Sequence, residues 1–515
     1  MRKWGPLLAV CLGTFMLLLD VTVVIVALPD IAHSLDASLT DLQWVIDIYA
    51  LALAALLLGA GVAGDVLGRR RIYAAGTALF ALSSLACGLA SSSTVLIAMR
   101  GLQGVGGAAM FATTLSLLGA AYQGRDRSLA LGMWGAVSGA AAALGPILGG
   151  VLTQSLGWRW IFLLNLPVSV AAIWITLRAV EESRNPAARR IDWAGTAAFA
   201  AFTGAATFAV VRAAGVGWAS TRTGVTLAVS AAGLLAFLLI ERRTPYPLLD
   251  LSLFRRPAFV AVMAGALAFN GAAFGVLPYT SLWLQTVLGM SPVRAGLALV
   301  PMAAASFVVA AAAGRLLHGA SPRLVVGGGL LLVGAGVLAQ AVLDAGSDGK
   351  VLIAGLTVTG VGVGLVSPAL AGAALGSVPG RNAGMAGGAV NTFRQFGFAL
   401  GVAAFGTVAT GRMEESLRTT AQGVPDPQAA AHALAGGGAP ALRAAGVPEE
   451  ALRAAFATGL NTAAVVAGVT GVVAGLAVLA FLRPRREGRD PGDADRSGEA
   501  ASPAGAEPAV RPDEP

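Results

Sequence analysis

Apolar runs of about 20 residues, separated by short polar breaks, recur along almost the whole chain. Each is long enough, at 1.5 Å per residue, for a helix to cross the hydrocarbon core of a bilayer. Fourteen such runs can be counted, at roughly 8–28, 42–62, 72–90, 94–120, 129–152, 160–179, 192–212, 223–241, 257–283, 293–316, 324–343, 351–375, 384–408 and 457–482. The pattern predicts an all-α polytopic membrane protein. The first run is interrupted by Asp20 and has no Ala-x-Ala cleavage pattern before Pro29, so it reads as a retained helix rather than a signal peptide.

Composition sharpens this reading. Hydrophobic residues make up 56% of the 515 and charged residues 12%, with a mean hydropathy of +0.75. A soluble chain carries about 25% charged residues, and a single soluble core stops growing near 250–300 residues. The net charge of +8 does not suggest nucleic acid, because the bases sit at helix ends without aromatic interleaving. Assigning arginine-rich breaks to the cytoplasm places there the N-terminus, Arg69–Arg71, Arg125 and Arg127, Arg178–Arg190, Arg242–Arg256, Arg315 and Arg323, Arg381 and the tail from Arg483. The alternate breaks are arginine-poor, and the first holds Asp30, Asp36 and Asp41. Both termini are therefore expected in the cytoplasm. Residues 409–456 read as a long extracytoplasmic connector, with a helix start at Pro448-Glu449-Glu450, and 483–515 as a disordered cytoplasmic tail. Cys11 and Cys87, both in apolar runs, offer no disulfide framework. Arginine far outnumbers lysine, and with the abundant Ala and Gly this points to a GC-rich bacterial genome and hence a bacterial cytoplasmic membrane.

Polar residues inside apolar runs carry the candidate chemistry, because an ionisable group at mid-membrane costs about 2.5–3.5 kcal/mol on insertion scales. Asp20, in Leu19-Asp20-Val21-Thr22, is the first. Arg100 lies about seven residues inside the fourth run and shares a helix face with Gln103, Gly104 and Gly107. Its natural partner is a buried carboxylate, either Asp20 or Asp47. After the second run, Gly61-Val-Ala-Gly64-Asp65-Val-Leu-Gly68-Arg69-Arg70-Arg71 combines glycines for close approach with an acid that can cap a helix or pair with an arginine, which suggests an ionic latch. The fifth run spaces Gly135, Gly139, Ala143 and Gly145-Pro146-Ile-Leu-Gly149-Gly150 as a small-residue seam with a proline kink. In the thirteenth, Asn391, Arg394, Gln395 and Phe398 share a face. Arg394 at that depth suggests a polar cavity, and Asn270 and Gln285 add polarity to the ninth; with Gln103, Phe111, Asn391 and Gln395 these are the candidate residues of a substrate cavity.

These motifs resemble the major facilitator superfamily, and more narrowly its fourteen-helix drug:proton antiporter branch. Residues 61–71 are similar to its loop signature, 100–108 to its Arg-x-x-Gln-Gly motif, 135–150 to its antiporter motif, and the opening stretch to Leu-Asp-x-Thr…Ala-Leu-Pro. Further similarity is carried by Gln43–Tyr49, Trp158–Pro167, Asp192-Trp-Ala-Gly195, Leu249–Phe254 and 391–401. Three departures stand out. Ile25 replaces a frequent Asn, Val66 a usual Arg, and Gly314-Arg315-Leu-Leu-His318-Gly319 lacks the acid of the first-half loop.

The resemblance implies two six-helix bundles, 1–185 and 251–482, with two helices inserted at 186–250. It also implies alternating access and export of a small amphipathic compound in exchange for protons. Asp20 is the expected proton carrier, with Asp47 the rival and Arg100 the modulating cation. Protons, a small-molecule substrate and the bilayer are the expected partners of a monomer without a cofactor. A proton-coupled importer is the nearest alternative. A membrane-embedded enzyme lacks a nucleophile or metal cluster, since His33, His318 and His432 are dispersed. An ATP-driven pump lacks a phosphate loop, and a channel lacks charged filter rings.

Overall fold

The computed structural model describes residues 3–37, 39–184, 192–245, 247–316, 320–376, 378, 383–420 and 426–482. Among these no strand occurs. The first part of the chain forms α1 (Gly5–Leu35), α2 (Leu39–Leu67), α3 (Arg69–Gly88), α4 (Ser93–Ala121), α5 (Gly124–Leu156), α6 (Arg159–Leu163) and α7 (Asn165–Ala179). Then come α8 (Trp193–Val216), α9 (Thr221–Arg243), α10 (Pro257–Phe274), α11 (Leu277–Leu282) and α12 (Pro292–Leu316). The remainder is α13 (Pro322–Leu338), α14 (Ile353–Gly376), α15 (Ala383–Thr420), α16 (Pro427–Ala435), α17 (Ala439–Ala444) and α18 (Glu449–Phe481). Ten helical stretches among the described residues are long and apolar enough to cross a membrane, and Pro322–Leu338 is a shorter apolar helix. Large apolar side chains such as Trp174, Trp193, Val225 and Leu235 are exposed on the outside, as lipid-facing surfaces require.

Helix starts follow local capping chemistry. Ser92 accepts from the Val95 N–H at 3.4 Å, Asp192 from the Gly195 N–H at 2.8 Å, and Asp426 from the Ala429 N–H at 2.9 Å. Asp192-Trp-Ala-Gly195 is thus the N-terminus of α8. A short 3₁₀ turn, Leu251–Arg255, is capped in the same way by Asp250, which accepts from the Ser252 N–H at 2.9 Å. Between α2 and α3 the chain turns at Gly68, whose φ of 115° is strained for any residue with a Cβ.

The reading of 409–456 as a plain connector needs correction. α15 runs on to Thr420, α16 and α17 follow, and α18 begins at Glu449 directly after Pro448. Leu417, Ala431 and Leu434 are buried there. Arg443 donates to the carbonyls of Thr286 and Val287 at 3.0 and 2.9 Å and pairs with Glu449 at 2.8 Å, which ties this segment to the π-helical turn Trp283–Val287. Burial of those side chains offsets the ordering that a free connector would avoid.

Glycine sets the distance between helices. A methyl on Gly334 would lie 2.6 Å from the Gly468 carbonyl oxygen, and one on Gly336 would lie 2.4 Å from the Thr359 nitrogen, so Gly334-Ala-Gly336 is a crossing point of α13 with α18 and α14. Two zones join early and late parts of the chain. α5 packs along α12 and α14, and α15 packs on α2, α4 and α8. α8 also lies on α2, while α9 lies on α8, so this pair flanks the second zone. α10 and α15 approach backbone to backbone, where a methyl on Gly397 would collide with the Leu267 carbonyl oxygen. Gly397→Ala should therefore push the two backbones apart and lower stability by about 1–3 kcal/mol. The apparent melting midpoint of the purified protein should fall by several degrees, whereas Gly328→Ala, with nothing within 4 Å of the new methyl, should leave it unchanged. Equal midpoints for the two variants would contradict this account.

Candidate functional site

The buried carboxylate of α1 and the buried guanidinium of α4 meet. Asp20 is 0% exposed and Arg100 1%, and Arg100 Nη1 donates to Asp20 Oδ2 in a close ion pair. The other carboxylate oxygen, Oδ1, accepts from Gln103 Nε2 and from Asn165 Nδ2, each at 3.0 Å. Gln103 also accepts from Arg100 Nη1 at 2.8 Å. Ser84 Oγ receives Gln103 Nε2 at 3.2 Å and Asn165 Nδ2 at 3.0 Å, and donates to the Phe162 carbonyl at 2.9 Å. Arg100 Nε donates to the Val45 carbonyl at 3.0 Å, and the guanidinium stacks 4.3 Å from the Tyr49 ring centroid. One carboxylate thus organises side chains of α1, α2, α3, α4 and α7.

The local sequence explains how this is possible. Arg100 and Gln103 are three residues apart on one face of α4, and Gly104 on the same face lets α4 approach α2. A methyl there would sit 2.6 Å from the Tyr49 carbonyl oxygen. Asn165 opens α7 directly after the short α6. Of the residues singled out from sequence, the structure brings Asp20, Arg100 and Gln103 together, and Gln103 serves this centre rather than a cavity wall. Side chains of Asp47 and Pro146, and that of Ile25, lie outside the described residues. Asn165, Ser84 and Tyr49 were not singled out individually. Asn165 carried a signal, being a lone amide in the apolar stretch Trp158–Pro167, while a serine or tyrosine in a helix carries none.

The α5 glycines serve three neighbours. A methyl on Gly145 would collide with Thr22 Oγ1, and one on Gly149 would lie 2.9 Å from the Val23 carbonyl oxygen, so this part of α5 packs on α1 just past Asp20. Earlier on α5, Gly135 faces Ser367 and Pro368 of α14, and Gly139 faces Ser306 of α12. Gly150 and Gly61 are buried. On α15, Asn391 Nδ2 donates to the Phe111 carbonyl at 3.0 Å, and Arg394 Nε donates to Asn270 Oδ1 at 3.3 Å. The Arg394 guanidinium lies 5.5 Å from the Trp134 ring and 5.4 Å from the Phe269 ring, with no carboxylate in salt-bridge range among the described residues. Phe111 is buried against Trp134, and Gln395 is half-buried. Gln285 stands apart, in the π-helical turn, and donates to Ser281 of the preceding helix at 2.9 Å. Ser306 and Ser367, which sequence reading did not single out, join Asn391 on the seam between early and late helices. Ser306 Oγ, Ser367 Oγ and Asn391 Oδ1 are buried there without a partner among the described residues.

At the α2–α3 turn, Asp65 pairs with Arg69 at 2.8 Å, both buried. Arg70 donates to the Leu177 carbonyl at 2.7 Å, and its N–H donates to Glu182 Oε1 at 3.1 Å. The Arg69 N–H donates to the Ser183 carbonyl at 3.0 Å. A methyl on Gly68 would lie 2.7 Å from the Glu182 carboxylate, and one on Gly64 would lie 2.7 Å from Thr113. The signature thus clamps the turn to α4 and to the strand-like segment after α7, with Glu182 as a further acid outside the motif.

Removing one member of a buried pair leaves an uncompensated charge, at a cost of about 3–5 kcal/mol. Arg100→Met should sharply reduce the yield of monodisperse protein, and Asp20→Leu combined with Arg100→Met should restore most of it. A double variant no better than Arg100→Met would argue against mutual neutralisation.

Comparison with known proteins agrees with this architecture. Residues 10–402 match the family model of the Major Facilitator Superfamily. The chain is 38% identical over 423 residues to the multidrug resistance protein Stp of Mycobacterium tuberculosis (strain CDC 1551 / Oshkosh), covering 82% of this chain and 79% of that protein. It is 32% identical over 498 residues to the tetracenomycin C resistance and export protein of Streptomyces glaucescens, covering 94% and 92%. The human organic anion transporter MFSD10 (TETRAN) shares the fold, with a TM-score of 0.62 at 15% identity over 93% of this chain and 100% of that one. The chain therefore belongs to the major facilitator superfamily, as a multi-pass membrane transporter rather than an enzyme.

Proposed function

We propose that this transporter exports small amphipathic compounds in exchange for protons, with Asp20 as the proton carrier. The observation that carries the proposal is the saturation of the Asp20 carboxylate by Arg100, Gln103 and Asn165 in a fully buried site. Every partner is a donor. A protonated carboxyl is itself a donor at one oxygen, so it has to displace at least one of them. Proton binding and the Asp20–Arg100 pair therefore compete, and a conformation that separates α1 from α4 favours the proton. Differential affinity for two conformations is what a coupling ion needs. The dispersed polar atoms on the seam, and Arg394 with no carboxylate in salt-bridge range among the described residues, support a substrate path along the same axis.

Drug export is supported by the relatives, whose names record multidrug resistance in one case and tetracenomycin C resistance and export in another. In this reading the helices form fourteen spans, with α6–α7 and α10–α11 each making one, as two six-helix bundles that rock around the seam with α8 and α9 inserted between them. The arginine distribution supports both termini in the cytoplasm of a bacterial cell, the protein acting as a monomer. The Asp65–Arg69 clamp would then lie on the cytoplasmic side.

Proteoliposomes test this. Substrate added to wild-type vesicles should drive proton movement, and Asp20→Asn should reduce that movement at least about tenfold while binding of substrate survives. Substrates come from susceptibility profiles of an efflux-deficient host with and without the gene. Full coupling in Asp20→Asn would overturn the assignment.

A further inference from the structure

A second cavity lies away from the Asp20 centre. It measures about 420 Å³, within the range of small-molecule sites, and sits between α8, α9, the 3₁₀ turn and α15. By contrast, a cavity on the seam near Gly139 and Ser306 measures about 30 Å³, room for about one water. Six rings line the larger one: Phe199 and Phe202 from α8, Phe237 from α9, Phe254 from the turn, and Phe393 and Phe396 from α15. They touch across elements, with Phe199–Phe237 centroids 5.0 Å apart and Phe202–Phe396 centroids 6.1 Å apart.

Three polar side chains break this apolar wall, of which Thr203 spends its hydroxyl on the Phe199 carbonyl at 2.9 Å. Thr392 is 4% exposed, and its Oγ1 has no hydrogen-bond partner among the described residues. Arg242, at the end of α9, is exposed and has no carboxylate in salt-bridge range among the described residues. A saturated acyl chain would fill the volume but leave the Thr392 hydroxyl unpaired. A ring system bearing a carbonyl or hydroxyl satisfies it, stacks on the phenyl groups, and can end in an acid at Arg242.

We infer that this cavity is a second ligand site, which takes an aromatic amphiphile carrying a mid-body hydrogen-bonding group and an acidic head. Its use as a stage on an export route rests on the transport proposal, but occupancy of the cavity does not.

The test uses the full-length protein in phosphatidylcholine nanodiscs and the photoprobe 4-benzoylbenzoate, whose ketone suits Thr392 and whose carboxylate suits Arg242. Saturable adducts should map to peptides from 193–216, 221–243 and 383–420. Arg242→Gln should raise the half-saturating concentration about tenfold for this probe and less than about twofold for neutral 4-methylbenzophenone. Thr392→Val, nearly isosteric and expected to fold, should weaken both probes about fivefold. Leu238→Trp, filling the cavity, should suppress labelling by both. Unsaturable labelling spread over all lipid-facing helices would overturn the inference, as would indifference to Arg242→Gln and Thr392→Val. Displacement of the probe by added phosphatidylglycerol would assign the cavity to lipid and overturn it too. Labelling needs neither a proton gradient nor turnover, so its failure leaves the proteoliposome test standing, and failure of that test leaves the labelling standing.

Discussion

A carboxylate and a guanidinium, buried together in a helical membrane protein, constrain everything around them. Neither Asp20 nor Arg100 is tolerable alone at that depth, so α1 and α4 have to meet. Asp20 Oδ1 then needs donors, and Gln103 and Asn165 supply them. Those amides need an acceptor, and Ser84 of α3 supplies it. One charged pair thus fixes the relative placement of four helices, and the Tyr49 ring adds a fifth by covering the cation. The network satisfies itself through donors alone on the carboxylate side. Under the transport proposal this is what lets it switch, because a proton on Asp20 would remove the charge that holds Arg100 there.

Glycine supplies the means by which such a switch reaches the rest of the molecule. Close-packed helices transmit displacement because they have little slack. α5 touches α1 at Thr22 and Val23, one turn from Asp20, through Gly145 and Gly149. Further along, it touches α14 and α12 through Gly135 and Gly139. One helix therefore contacts both the Asp20 helix and the seam between early and late parts of the chain. The hydroxyls of Ser306 and Ser367, without a partner among the described residues, lie at the seam end of it.

The fold class was legible because the bilayer leaves few solutions: runs of 20 apolar residues have to be helices. The central pair was legible for a related reason, since charge at depth is conspicuous and demands a partner. What stayed hidden has equally physical causes. Ser84 and Tyr49 are ordinary residues in apolar helices, and only proximity gives them a role. Glu182 follows α7 in a polar stretch where an acid attracts no notice, although its carboxylate receives the Arg70 N–H. Gln285 shows the opposite, since a polar side chain in an apolar run can find its partner one turn back along the chain, at Ser281. The helices within 409–456 are short and Ala-rich, and tertiary burial rather than periodicity holds them.

α15 joins the two sites. Asn391 and Arg394 face early helices and the aromatic pair Trp134 and Phe269, while Thr392, Phe393 and Phe396 face the 420 Å³ cavity. These residues occupy barely more than one turn, so the helix cannot rotate or shift at one face without moving the other. At Gly397 it is also pressed against the backbone of α10, which leaves rigid-body motion with α10 as the cheaper displacement. A ligand that fills the cavity then resists the motion that closes it, and by linkage any event on the seam that moves α15 changes the affinity of the cavity. α15 is thus shared by the proposed lateral site and the proposed transport path.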